Sequence, residues 1–522
     1  MSDTARVLIV GAGPTGLTLA SALQAYGIRF SLIDRKAGPT TDSKGLALNM
    51  ATQYGFELLG LGGVLTQSGC KIRRLNVYWQ GQRLSAVDFR RLDSPLKHLI
   101  TQRQAVTERQ LIDALQTRGE AVHWHTTLTA LHETAHGVTA QLSQADGRTQ
   151  QQHFDYVIGC DGKSSTVRPH IGASLNGHDY PMYFVLGDFA LQWDASPDQV
   201  HYHVHEDGFF ILVPLGEGAW RVVVKYDGEI PPDLALDQAR ITAPVTARLG
   251  RNIFAADASW LSRAPFYSRV ADQLQAGRIF LAGDAAHLFS PIGGTGMNTG
   301  IQDALNLGWK LAWVLRGLAP ATLLDSYQQE RLPAMLSAAA TADRSTRLIA
   351  RLDPNPALID SLLPRMRNRP QLRQNLPMLH SGLLAAYPAD TLLGHSPAAQ
   401  AGQLCRWAGQ ARTRLHGEPL APHLGLLVLA GPLGAQQDAV YALARRYAQQ
   451  LVVASTQPCA APLRYLAPFA GLPLAPGAAV FVRPDGFIGH SGTLAQLDEF
   501  SHGLASAAGL SQRASATALS TP

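Results

Sequence analysis

The first 35 residues restrict the fold of this chain more than any other stretch. A short apolar, β-branched run, Arg6–Val10, is followed by Gly11-Ala12-Gly13-Pro14-Thr15-Gly16, and Leu17–Ala25 then carries the apolar spacing of a helix. Phe30–Ile33 is a second apolar run and ends in Asp34, 23 positions beyond Gly11. Strand, glycine turn, helix, strand is the opening unit of a doubly wound parallel sheet. Gly11 permits the tight turn, Gly13 lets the backbone approach a pyrophosphate, and Gly16 lets helix and sheet pack closely. The start of the helix presents unpaired N–H groups and a partial positive charge to phosphate. A carboxylate roughly 20 residues on accepts hydrogen bonds from ribose hydroxyls and repels a 2′-phosphate. Asp34 stands at that place, so the pattern predicts a dinucleotide-binding unit.

Two later segments extend this reading. Arg278–Ala282 has the character of a buried strand and leads into Gly283-Asp284-Ala-Ala-His287, then Pro291-Ile-Gly293-Gly294-Thr-Gly296-Met297-Asn298, with a long helix expected over Asn298–Leu318. Asp284 at a strand end can hold ribityl or ribose hydroxyls. The helix start after Gly296 places a positive end where a reduced flavin carries negative charge. The other segment, Tyr156-Val-Ile-Gly159-Cys160-Asp161-Gly162-Lys-Ser164-Ser165, is a strand ending in Asp-Gly; taken alone, Asp161 reads as a helix cap.

Composition narrows the class. The 522 residues are 46% hydrophobic and 16% charged, which suits a globular chain of two or three domains. The net charge of +5 is dispersed without Lys/Arg runs, so neither a nucleic-acid patch nor a membrane patch is read. The apolar stretch Leu307–Leu318 is broken by Lys310 and Arg316, and no signal-peptide pattern opens the chain. Cys70, Cys160, Cys405 and Cys459 are far apart and form no CxxC, as in a reducing compartment, and no metal-ligating cluster is read. A cytoplasmic location is expected.

The three motifs, in this order and spacing over roughly residues 5–345, resemble the class A FAD-dependent aromatic hydroxylases, the family of p-hydroxybenzoate and phenol hydroxylases. Leu324-Asp325-Ser-Tyr327-Gln-Gln-Glu330-Arg331-Leu-Pro333 is similar to the family's segment after the long helix, and Phe481-Val-Arg483-Pro-Asp485-Gly486-Phe-Ile488 to the closing motif of its longer branch. The resemblance implies an α/β fold: a Rossmann-type FAD-binding domain (1–72, 98–176 and 275–345) and an inserted antiparallel-sheet substrate domain (73–97 and 177–274). A connection (346–400), a C-terminal thioredoxin-like α/β domain without CxxC (401–510) and a disordered tail (511–522) would follow. It implies FAD as cofactor, held by Gly11, Gly13, Pro14, Thr15, Gly16, Asp34, Arg35, Lys44, Gln104, Asp161, Gly162, Gly283, Asp284, Pro291, Gly296, Met297 and Asn298. Two positions depart from the family pattern: Ala51 stands where Arg is usual, and Tyr54 where Glu is common.

The implied reaction uses NADPH or NADH and O2 to hydroxylate a phenolic or polyketide-like aromatic through a C4a-hydroperoxyflavin. Alternatives on the same fold are Baeyer–Villiger oxidation, epoxidation, oxidative decarboxylation, or a non-catalytic flavin-binding protein. No Trp-x-Trp-x-Ile-Pro segment favours a halogenase. Partners are a small aromatic substrate and O2, and a homodimer is compatible with the resemblance. No catalytic base stands out. His201, His203 and His205 alternate on one strand and share a face; a polar outer face of the sheet is the preferred reading, and the sharper one aims His203 or His205 at the substrate. Tyr226 and Tyr54 are further candidates. Phe210, Leu212 and Pro214 either line an apolar pocket or pack a core, and His287 reads as structural or flavin-supporting.

Overall fold

The computed structural model describes residues 5–41, 45–66, 68–231, 234–350, 377–378, 380–388, 402–418, 420–468, 472, 474–498 and 501–502. The expectations for Lys44, for most of the connection at 346–400 and for the tail at 511–522 fall outside them.

Four short apolar runs account for the first sheet. Val7–Val10, Phe30–Ile33, Tyr156–Gly159 and Ile279–Leu281 are buried along their whole length, as strands covered on both faces must be. They lie parallel in the spatial order Ile279–Leu281, Tyr156–Gly159, Val7–Val10, Phe30–Ile33. Val122–His123 extends one edge in parallel, and Gln275–Ala276 closes the other antiparallel. The register is what builds the site. Val10 is level with both Ile33 and Gly159, and Gly159 with Leu281. The residues that follow each strand, Gly11, Asp34, Asp161 and Gly283-Asp284, therefore emerge along one carboxyl edge, where open parallel sheets bind ligands.

The helix Pro14–Ala25 packs against Gln104–Thr117 and Thr295–Leu315. The last of these starts and ends three residues earlier than its apolar spacing predicts. Gly294 (φ +64°) turns the chain into the helix at Thr295, and Gly317 (φ +70°) adopts the left-handed conformation that stops it. A three-stranded antiparallel sheet, Thr126–Thr134, Gly137–Gln144 and Thr149–Phe154, adds Leu128, Val138, Leu142 and Phe154 to the same core.

The inserted sheet has eight strands in the order His287–Leu288, Trp260–Ala271, Leu175–Ala190, Ala219–Asp227, Gly208–Gly216, Gln199–His205, Arg74–Trp79, Gln82–Asp88. Alternation divides its side chains between two faces. One face carries Phe184, Val200, Phe209, Ile211, Val213, Val223 and Phe266 into a core shared with Met50, Tyr54 and Ile292. The other carries Val185, Phe210, Leu212, Val222 and Val224 against Ile241 and Val245 of the helix Ala239–Leu249.

Near the C-terminus a five-stranded sheet runs Arg464–Tyr465, Leu451–Ser455, Gly425–Leu429, Ala478–Val482, Ile488–Thr493. Its first three strands are mutually parallel and the last two run as an antiparallel pair, with the helix Gln437–Arg446 between two of the parallel strands in sequence.

Candidate functional site

The glycine turn at the carboxyl edge is shaped by close approach. Gly11 has φ +108°, and a Cβ there would stand 2.3 Å from the Cys160 carbonyl oxygen; one on Gly16 would stand 1.9 Å from that of Gly11. Gly13 has nothing within 4 Å, so the side open to a ligand is the one the sequence pattern assigns to pyrophosphate. Pro14 is the first helical residue, where its missing N–H costs nothing, and among the described residues no side chain caps the free amides beyond it. Thr15 packs on Gly283 and Gly300, joining this turn to the second motif. Asp34 is buried and accepts from the backbone N–H groups of Ala12 (2.8 Å) and Lys36 (2.9 Å). A carboxylate has about four acceptor positions, so capacity remains for ribose hydroxyls. Arg35 is exposed beside it.

Asp161 uses one carboxylate oxygen, Oδ2, to accept from Thr166 N (2.6 Å), Thr166 Oγ1 (2.9 Å) and Val167 N (3.2 Å). Its Oδ1 is buried and has no partner among the described residues. Gly162 (φ +80°) turns the chain away directly afterwards. On the neighbouring strand Asp284 is exposed, as is Pro291 farther along the loop. Gly296, in the first turn of the long helix, has nothing within 4 Å.

Asn298 and Gln104 organise the opposite wall. Asn298 Oδ1 accepts from Asn49 N (2.9 Å), while its Nδ2 donates to the Ala47 (2.8 Å) and Gly294 (2.7 Å) carbonyls. Gln104 Oε1 accepts from Gly45 N (3.0 Å), and a Cβ on Gly45 would lie 2.8 Å from that oxygen and 3.2 Å from Met297 Sδ. The Gly45–Asn49 segment is thereby pinned between Gln104, Met297 and Asn298. Ala51, just beyond it, packs against Gly382, whose added Cβ would lie 3.1 Å from the Ala51 Cβ. The space beside residue 51 is thus filled by backbone.

The substrate-side expectations need correction. His201, His203 and His205 are only 4, 4 and 8% exposed, so they do not form a polar outer face. Nor do His203 and His205 point toward the flavin side. Their rings stack on Phe210, which belongs to the core under the helix Ala239–Leu249. Tyr226 lies on the same far face, stacked on Tyr183 and donating its hydroxyl to the Arg240 carbonyl (2.6 Å). Phe210 and Leu212 pack this core, and the Pro214 carbonyl accepts from Thr101 Oγ1 (2.6 Å). The reason is parity: a two-residue period shows which side chains travel together and not which face meets the cofactor domain.

The same parity brings out Tyr202, a residue missed at sequence level. It alternates with the histidines and sits half-buried in the core containing Ile292, beside Val200 and Val204. Burial pushes its phenol up to about 12. Tyr54 shares that core; its hydroxyl is hydrogen-bonded to Ser94 Oγ (2.9 Å) and accepts from Leu96 N (3.2 Å), and burial raises its pKa. Another missed group is fully buried Asp188, which accepts from Arg221 Nε (2.6 Å) and from Arg103 Nε (2.7 Å) beside Gln104. Arg221 lies 4.0 Å from the ring centre of Trp260.

Residues 4–342 match the family model of the FAD binding domain. The chain belongs to the FAD-dependent aromatic hydroxylases of the class A flavoproteins. Over 520 residues the flavoprotein is 32% identical to the 6-methylpretetramide 4-monooxygenase of Streptomyces rimosus, covering 94% of this chain and 91% of that one. Over 373 residues it is 33% identical to the dialkyldecalin synthase of Streptomyces rugosporus, covering 69% of this chain and 77% of that one. Among solved structures it resembles the anhydrotetracycline hydroxylase of Streptomyces rimosus, with TM-score 0.75 and 27% identity over 96% of this chain and 98% of that one. This chain is a flavoprotein monooxygenase whose cofactor is FAD, and use of NAD(P)H and O2 is typical of its family. The residues fit the cofactor: open approaches at Gly13 and Gly296, uncapped helix amides after Pro14, and an unpartnered buried oxygen on Asp161.

Proposed function

We propose that this monooxygenase hydroxylates a multi-ring phenolic, polyketide-like aromatic, and that Tyr202 holds the ring oxygen. The observation that carries the reading is the cofactor-side face of the eight-stranded sheet. Phe184, Phe209, Ile211, Val213 and Phe266 make it apolar and aromatic, and Tyr202 packs against this cluster as a phenol. Such a surface buries flat rings and offers a polar group to orient them. Two proteins similar to this chain are named for 6-methylpretetramide and anhydrotetracycline, which supports a large substrate.

In this reading Gly11, Gly13, Pro14, Thr15, Gly16, Asp34 and Arg35 hold the adenosine and diphosphate end of FAD. Asp161, Gly162, Gly283 and Asp284 hold its middle, and Gln104, Pro291, Gly296, Met297 and Asn298 surround the flavin ring. FAD, when bound, accepts hydride from NAD(P)H and activates oxygen. The chain orients it: amides at the start of the helix Thr295–Leu315 face the ring, and the Asn298 and Gln104 contacts keep the Gly45–Asn49 wall in place. Tyr202 remains protonated at neutral pH, so it donates a hydrogen bond to the substrate oxygen and favours its phenolate, the more nucleophilic form. The 73–97 and 177–274 segments form the substrate domain. The strand order and directions of the C-terminal sheet support a thioredoxin-like unit, and its free Cys405 and Cys459 supply no CxxC.

The test is to load the purified protein with FAD and follow NADH and NADPH oxidation with multi-ring phenols and with simple phenols, then weigh the products. Stimulated oxidation and a product heavier by one oxygen are expected with a multi-ring phenol. Stimulated oxidation with no product heavier by one oxygen, for every phenol tried, would defeat the reading.

A further inference from the structure

Two consecutive residues of one helix serve two different parts of the molecule. Glu330 and Arg331 lie on the helix Asp325–Ala350, about 100° apart around its axis. Both meet the long helix Thr295–Leu315, where Asp303, Asn306 and Lys310, spaced three and four residues apart, form one buried stripe. Arg331 donates from Nε to Asp303 Oδ1 (2.8 Å) and from Nη2 to the Thr299 carbonyl (3.2 Å). The other oxygen of Asp303 accepts the Gly283 N–H (3.0 Å) and meets His287 Nε2 (3.1 Å). Gly283 has φ +63°, immediately precedes Asp284, and has Thr15 packed where its Cβ would be. Arg331 therefore bears, through a single carboxylate, on the turn that presents Asp284 at the carboxyl edge. Burial alone would raise the Asp303 carboxyl; Arg331 and His287 outweigh it and hold the carboxyl low, so the clamp is ionised.

Glu330 faces the other way. It accepts from Asn306 Nδ2 (2.6 Å) and Lys310 Nζ (2.8 Å), and from both Nη atoms of Arg483 (2.8 and 2.9 Å) in the C-terminal unit. Arg483 is itself paired with Asp485, whose Oδ2 also accepts from Trp309 Nε1 (3.1 Å). Tyr387 ties the two halves together, stacked on Phe487 at 4.1 Å with its hydroxyl 3.4 Å from Arg331 Nη1. Every charged group in this cluster is buried. Such groups cannot drift into solvent, so displacing one moves its partners.

We propose that Arg331 is a positioning residue for FAD, setting the Gly283–Asp284 turn through Asp303, and that the C-terminal unit, docked through Arg483, fixes the helix that carries it. The C-terminal unit then has a role in cofactor retention although none of its described residues is among those assigned to FAD. This rests on the reading that Gly283–Asp284 touches FAD.

The experiment measures FAD affinity of the full-length protein after reversible deflavination, by flavin fluorescence quenching. Visible-region circular dichroism of the reloaded flavin and thermal unfolding of the apoprotein are recorded alongside. The variants are Arg331→Lys, Arg483→Lys, Asp485→Asn and Asp284→Asn, with Asp438→Asn on the exposed face of the C-terminal helix as control. Arg331→Lys should weaken FAD binding about tenfold or more, Arg483→Lys and Asp485→Asn about threefold to tenfold with a changed flavin dichroism, and Asp438→Asn not at all. If Arg483→Lys does not fold, Asp485→Asn decides, because it loosens Arg483 while leaving the Glu330 charge matched. A lower unfolding temperature with FAD affinity within twofold of the parent in Arg331→Lys and in the C-terminal variants would overturn the proposal and leave a simple staple. Unchanged affinity in Asp284→Asn would instead remove the reading of the turn on which it stands.

Discussion

The ring of His203 lies parallel to that of Phe210, centroids 4.6 Å apart and planes within 4°, with Tyr78 stacked on its other side at 4.4 Å. Neither nitrogen of His203 has a hydrogen-bond partner among the described residues. Burial lowers His201 to about 4 and His203 to about 3, the latter also through His201 and His205; burial and Arg248 lower His205 against the opposing pull of Asp207. In the unfolded chain each would titrate near 6.5. Below that pH the unfolded chain binds protons that the folded chain refuses, so stability falls as pH drops from 6.5 toward 4, by about 1.4 kcal/mol per pH unit for each such histidine. Urea unfolding at pH 7, 6 and 5 should show this loss, and His203→Phe, which keeps the stack, should make it shallower. Equal slopes for the two proteins would refute the assignment.

The role proposed for Tyr202 is the opposite kind, in chemistry and not in folding. Tyr202→Phe keeps the ring in the core beside Val200 and Val204 and removes only the hydroxyl. The turnover number should fall by about 10²-fold, a size common for positioned proton-handling groups, while FAD affinity and urea midpoint stay near the parent's. Unchanged turnover with a substrate that the parent hydroxylates would exclude Tyr202 from the site.

Asp284 is exposed at the end of a buried strand, free of the hydrogen bonds that occupy Asp34 and Asp161. Its carboxylate is therefore available to ligand hydroxyls, and charge-assisted hydrogen bonds of this kind contribute about 1.5–3 kcal/mol. Asp284→Ala should weaken FAD binding roughly tenfold to a hundredfold, as read by equilibrium dialysis, without lowering apoprotein stability. Full flavin occupancy at low micromolar FAD would show the assignment to be wrong.

Asp188 and Arg221 are both fully buried, and Asp188 is also held by Arg103 at the start of the helix Gln104–Thr117. Removing Asp188 takes the carboxylate from two arginines at once, one of them fully buried. Asp188→Asn should cost about 3–5 kcal/mol, whereas the paired change Asp188→Leu with Arg221→Met should recover most of it. Denaturant titration of the single and double variants checks this; a double variant as weak as the single one would mean that Arg103, left without its acceptor, dominates the loss.

The motifs themselves were legible because their chemistry is local. Gly11, Gly13 and Gly16 are dictated by a turn and its close contacts, Asp34 by the end of the next strand, and the Asp161-Gly162 and Gly283-Asp284 pairs by strands that stop abruptly. The pairing of Asp303 with Arg331 was not legible, because an acidic residue in one helix and a basic residue in the next acquire a joint role only when the helices meet. The histidines of Gln199–His205 were visible as a set, yet their face was not. Alternation is identical whichever side of a sheet meets its neighbour, and here Phe210 and the helix Ala239–Leu249 claim the histidine side, leaving Tyr202 with the core of Ile292.

By itself, then, the sequence determined a dinucleotide-binding α/β architecture and, by resemblance, FAD and its family of monooxygenases, since spacing along the chain encodes turns, strands and helix starts. Tertiary structure decided which residues share a surface. The level register of Val10, Ile33, Gly159 and Leu281 gathers the motifs at one edge, sheet parity puts Tyr202 and not His203 on the face that meets Ile292, and the burial of Glu330 and Arg331 on one helix joins the C-terminal unit to the Gly283–Asp284 turn. These are relations between distant segments, set by packing and by the requirement that buried charges be matched, and no local spacing rule carries them.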